Sequence, residues 1–165
     1  MTFSHVQHLL TAMDHLLVDP NPVNEAKLAN VEAQQADFAA LVLEIALNAS
    51  VAEAQRQLAA LLLKKHIDAK WTSESEKFQG PHEVPMEVKV HVKTMLLEHA
   101  LHVASPKIRT ALALAIAHIA QFDWPEAWPG LFERLVSCLK SDQVHTVDGA
   151  MQVLAGMSSM LNVLP

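Results

Sequence analysis

Apolar residues recur at intervals of three and four almost from one end of this chain to the other, and no other feature limits its fold so tightly. Val6, Leu9, Leu10, Met13, Leu16 and Leu17 make the first such stripe, and Phe38, Leu41, Val42 and Ile45 the next. Leu58, Leu61, Leu62 and Ile67 follow, then Val88, Val92, Met95, Leu96 and Val103. The pattern continues through Ile108, Leu112, Ala115, Ile116 and Ile119, then Leu131, Leu135 and Leu139, then Val147, Ala150, Met151, Leu154 and Leu161. Such spacing gives one face of a helix to a core. The chain is therefore all-α. Its composition agrees, since 4 Gly and no Tyr leave little material for hairpins or barrels.

Punctuation between the stripes sets the organisation. DPNP at 19–22 ends the first helix, with Asn21 as N-cap and Pro22 at the first position of a second, short helix. NAS at 48–50 is a break, and the helix after it ends near Trp71. TSESEKFQGPHEVP then reads as a surface loop at about 72–87, not as a domain boundary. Ser105 and Pro106 supply an N-cap and a first-turn residue; WPEAWP and then Ser141 and Asp142 interrupt the later stripes. About eight helices result, and the first helix of the later pairs begins near residues 37, 86 and 129. A period of about 45 is that of HEAT or armadillo-type repeats. The expected architecture is a right-handed HEAT-repeat-like α-solenoid of about four antiparallel helix pairs, one domain over residues 1–165, with a compact bundle as the structural alternative. The apolar LNVLP at the end, where a capping repeat should be polar, predicts a fragment of something longer.

Several function classes lack their residues. A net charge of -6, with only 12 Lys and Arg scattered along the chain, disfavours direct nucleic-acid binding and suits basic protein partners. The lone Cys138 has no internal disulfide partner, and MTFSHVQHLL lacks the features of a secretory signal, which predicts an intracellular setting. ALALAIAHIA at 111–120 is too short to span a bilayer, so no membrane insertion is expected. His5 with His8 and His99 with His102 stand at i, i+3, but neither pair has an identifiable third ligand. No metal or cofactor is expected, and the histidines read as solvated helix-face residues. There is no GxSxG elbow and no phosphate-cradling glycine loop, so the chain does not read as an enzyme.

The most specific local signal is DWPEAWPGL at 123–131. Proline disfavours the α conformation in the residue before it. Trp124 and Trp128 should therefore leave the helix, Pro129 should open the next one, and Trp124, Pro125, Trp128 and Pro129 should form a rigid packing corner. A second signal is the basic cluster Lys64, Lys65 and Lys70, whose plainest role is to complement a negative helix end.

DWPEAWPGL between two helices resembles the Trp-Pro-x-x-Trp-Pro element of importins and exportins, and RQLAALLLKKHIDAKW at 56–71 resembles the importin N-terminal signature. HIDAKWTSESEKFQGP, IAHIAQFDWPEAWP and VDGAMQVLAGM are similar to the importin-nine branch of the importin-β (karyopherin-β) superfamily. The resemblance is weakest at PNPVNEAKLAN, where the second helix of the first pair is shortened. It implies a nuclear import receptor that shuttles between cytoplasm and nucleus, with second helices lining a concave surface for the GTP-bound form of the GTPase Ran. Lys64 and Lys70 match basic positions of that surface, and Lys65 matches less closely. It further implies basic cargo such as histones or ribosomal proteins, and FG-repeat nucleoporins as partners at the pore. A Ran-independent HEAT-type scaffold and an export receptor of the same superfamily are the alternatives.

Overall fold

A computed structural model describes residues 3–161, with side chains for residues 5–159. The helices are α1 (Phe3–Val18), α2 (Pro22–Gln34), α3 (Phe38–Leu47), α4 (Glu53–Lys70), α5 (Met86–His99), α6 (Pro106–Asp123), α7 (Leu131–Leu139) and α8 (Val144–Leu161), with a 3₁₀ turn at Ala100–His102 after α5. Among the described residues there is no strand. The helices form antiparallel pairs stacked in chain order: α1 packs on α2, α3 on α4 and α7 on α8, while α5 reaches α6 chiefly through the 3₁₀ turn. The second helices α4, α6 and α8 lie side by side, and α3 rests on α5. The architecture is thus the HEAT-like α-solenoid that the repeat period predicts.

The local sequence explains most boundaries. Asn21 caps α2 by accepting from the Asn24 backbone N–H at 2.9 Å, and Pro22 sits in the first turn, where its missing N–H costs nothing. The Asn24 side chain, almost buried, donates to the carbonyls of His15 and Asp19 and so closes the turn between α1 and α2. Beyond Asn24, α2 buries only Leu28. The first pair forms, but its second helix brings little apolar surface to the stack.

Three local expectations differ. α5 stops at His99, so Val103 packs from the linker after the 3₁₀ turn and not from a helix. Ser105 stands at the N-cap of α6, but its hydroxyl donates to Glu53 Oε1 at 2.7 Å and ties the starts of α4 and α6 together. α7 begins at Leu131, after a Trp128–Gly130 turn, so Pro129 precedes the helix instead of opening it. The Leu161 side chain and residues 162–165 of LNVLP lie outside the described residues.

The core runs the length of the stack, and α6 is its axis. Ile108, Leu112, Ile116 and Ile119 are fully buried, each worth about 1.5–3 kcal/mol relative to exposure. Between them, Ala111, Ala113, Ala115, Ala117 and Ala120 are also buried and let neighbouring helices come close. The α6–α8 approach is so tight that a Cβ at Gly156 would lie 2.8 Å from that of Ala117.

Candidate functional site

α4, the second helix of the second pair, carries the three lysines, and helical geometry separates them. Six residues at about 100° each place Lys64 and Lys70 roughly 120° apart around the axis. Lys64 faces α6, where its ammonium pairs with Asp68 at 3.1 Å. The other oxygen of Asp68 lies 3.1 Å from the Nδ1 of His118 on α6. Burial of His118 disfavours its charged form and holds its pKa below the ordinary 6.5, although Asp68 acts the other way. Lys64 is therefore engaged in the α4–α6 junction, with its side chain 36% exposed. Lys65 is exposed and Lys70 half-buried. Both line a groove of about 870 Å³ between α2, α4 and the segment 79–85.

That groove is firmly built. On its floor Glu32 of α2 meets His66 Nδ1 of α4 at 2.6 Å, and the His66 ring lies 5.0 Å from that of Phe38. The hydrogen bond from His66 holds the Glu32 carboxyl below its usual range, with Lys65 and Lys70 adding smaller attractions. The wall is the loop after α4. Glu83 Oε1 accepts from both the backbone N–H and the hydroxyl of Ser73 at 2.7 Å, while its other oxygen pairs with Lys89 Nζ at 2.7 Å. These bonds lower the Glu83 pKa to about 2. Gly80 has a φ of 114° and passes directly over Lys70, whose ammonium would collide with any Cβ added there.

Trp71, at the base of the same loop, is fully buried, and Lys89 Nζ sits 5.5 Å from its ring centre. Its indole N–H donates to Asp123 Oδ1 at 3.0 Å. The other oxygen of Asp123 pairs with Lys93 Nζ at 2.7 Å, and Lys93 also donates to the carbonyl of Ala127 at 2.8 Å. The turn after α6 is thereby bolted to α4 and α5. Within it Trp128 is 5% exposed and Trp124 39%, with Trp124 against the Phe132 ring at 6.4 Å. Pro125 and Pro129 are exposed. The two tryptophans are therefore unequal: Trp128 packs inward and Trp124 lies along the surface.

Sequence reasoning missed the histidines. His66 and His118 are buried, at 7% and 6% exposure, each against a carboxylate on a neighbouring helix, and are not solvated face residues. Lys93 and Arg109 were hidden among apolar stripes; Arg109 donates to the carbonyls of Val103 and Ala104 and to Asp148 of α8. Their only advance signal is a charge at an otherwise apolar helical position. Among the described residues no group of three or more His, Cys, Asp or Glu side chains is placed to hold a metal ion, and no helix is long and apolar enough to cross a membrane.

Stacked antiparallel pairs, with second helices side by side and a bolted Trp-Pro turn, define a helical-repeat solenoid. Comparison with known proteins names its kind. The family "Importin-beta N-terminal domain" matches residues 24–102, and "Exportin 1-like protein" matches residues 105–164. Importin subunit beta-5 of Schizosaccharomyces pombe is 30% identical over 139 residues, covering 82% of this chain and 14% of that protein. Importin-9 of Drosophila melanogaster is 30% identical over 116 residues, covering 70% of this chain and 11% of that protein. The Kap95:Nup1 complex is similar in structure, with a TM-score of 0.76 and 25% identity over 95% of this chain and 19% of that one. The cargo-free, cytoplasmic state of the exportin Cse1 has the same fold, with a TM-score of 0.76, 22% identity and coverage of 94% of this chain and 16% of that one. The chain belongs to the importin-β superfamily and corresponds to its N-terminal region. It spans less than a fifth of the length of each of these four proteins.

Proposed function

We propose that this chain is the N-terminal, Ran·GTP-binding region of a nuclear import receptor that shuttles between cytoplasm and nucleus. The observation that carries the reading is the 30% identity to two importins across the pairs containing α4, with Lys64, Lys65 and Lys70 on a second helix. The geometry ranks the three: Lys65 is free and exposed, Lys70 is free but half-covered, and Lys64 must leave Asp68 to reach a partner. The net charge of -6 favours basic cargo, such as histones or ribosomal proteins. The likeness to Kap95 in its complex with Nup1 supports nucleoporins, including those with FG repeats, as further partners. Release in the nucleus then follows from linkage, since Ran·GTP and cargo that disfavour each other weaken each other by the same factor.

Exportin-2 of Drosophila melanogaster, 26% identical over 140 residues, supports a second reading as an export receptor, in which the same coupling has the opposite sign. The test is a binding measurement with Ran·GTP and Ran·GDP, with and without a basic cargo. Import predicts that Ran·GTP binds and displaces cargo; export predicts that each strengthens the other; indifference to the nucleotide leaves a Ran-independent scaffold. In the import case, Lys65→Ala with Lys70→Ala in the full receptor should weaken Ran·GTP binding by at least about tenfold, the scale of charge-assisted contacts.

A further inference from the structure

We propose that the groove between the ends of α2 and α4 receives an extended acidic peptide segment, its carboxylates held by Lys65 and Lys70. Most charges around the groove already have partners, and these two lysines do not. Five other ionisable groups shape the groove or its wall: Glu32 is matched by His66, Glu83 by Lys89, and His82 lines it from the loop. Lys65 and Lys70 have no carboxylate within salt-bridge distance and no hydrogen-bond acceptor among the described residues. Lys70 stands in the last turn of α4, where its charge complements the helix end, yet its ammonium donates to no acceptor among the described residues. Its ammonium is instead lodged beneath Gly80, half-withdrawn from water, where a bound anion gains more than at an open surface.

Spacing favours a peptide in extended form. Five residues of helix rise about 7.5 Å and turn about 140°, so Lys65 and Lys70 leave α4 in different directions and reach the groove that both line through their long stems. An extended segment advances about 3.4 Å per residue, so one that carries several acidic residues can meet both lysines. Gln34, Gln35 and Gln79 on the rim offer amide groups to its backbone. Glu83 clamps the loop to Ser73 and Lys89 and so fixes the groove wall, which leaves little ordering cost for binding. A nucleic-acid strand fits less well: two ammoniums neutralise at most two phosphates, far fewer than a strand-binding track uses. The inference does not depend on the GTPase reading, and no GTPase enters its test.

A fluorescein-labelled peptide of alternating glutamate and serine is titrated with the chain at about 50 mM salt, where charge contacts are weakly screened, and anisotropy is read. Expected is saturable binding, at least tenfold weaker for the glutamine-for-glutamate peptide and for Lys65→Gln with Lys70→Gln, and unchanged for Lys107→Gln on α6. Circular dichroism checks the fold. Should the double variant unfold, Lys65→Gln alone alters only an exposed side chain and should still weaken binding several-fold. Failure of the parent to bind below about 1 mM, a range typical of weak specific contacts, would overturn the proposal. So would equal binding by the lysine variants, or an oligonucleotide held more tightly than the peptide through the same two lysines.

Discussion

Tryptophan at two positions of one turn shows how far residue type and residue role can diverge. Trp124 and Trp128 both precede proline and both stand outside helices, yet only Trp128 enters the core. Trp128→Ala should destabilise the chain by about 3 kcal/mol or more, as for other aromatic deletions from a core. Trp124→Ala should cost less than about 1 kcal/mol, because its partner Phe132 is itself half in water. Urea unfolding of the two variants checks both numbers, and equal losses would mean that the turn acts as one block. Proline restriction made the turn legible in the sequence. It could not say which indole turns inward, because that depends on Lys93 and Asp123, whose contact with each other and with the Ala127 carbonyl is tertiary.

Helices and their order were legible for a physical reason: apolar periodicity and caps act within a few residues of the chain. The junctions between helices were not, because the pairs that pin them are remote in sequence. His66 meets Glu32 across 34 residues, Arg109 meets Asp148 across 39, and Trp71 meets Asp123 across 52. The candidate site shares this limit. Its lysines could be picked out, but the groove around two of them needs α2 and a loop that lie far away in the chain. One junction carries a pH prediction. The His118 pKa is lowered by burial, so the unfolded chain takes up a proton first as pH falls, and the α4–α6 junction contributes stability that is present above pH 6.5 and is lost below it. Denaturation midpoints measured from pH 7.5 downward (about neutral) should fall in the parent and fall less in His118→Leu. Parallel curves would remove His118 from the account. Glu83 behaves separately: its contribution is present above 4.5 and is lost only as pH approaches about 2, so the groove wall should outlast the α4–α6 junction on acidification.

Across the whole molecule, stability should be graded, since in a stack each pair touches only its neighbours. α6 is buried between α4 and α8, whereas α2 contributes one apolar side chain and one asparagine to the interior. Native-state hydrogen exchange should therefore find the slowest amides in α4 and α6 and the fastest helical ones in α1 and α2. Uniform protection would instead describe a single cooperative block. The alanine surface of α6 has a mechanical consequence as well. Where Ala117 meets Gly156 the inner helices nearly touch, while the outer row carries Phe, Leu and Met and is in looser contact. The last three pairs are then wedges, tight along α4, α6 and α8 and loose along α3, α5 and α7, like voussoirs in an arch. The radius of that arch is written in the volumes of a few alanines and one glycine, so a single added methyl group on the inner row opens the span.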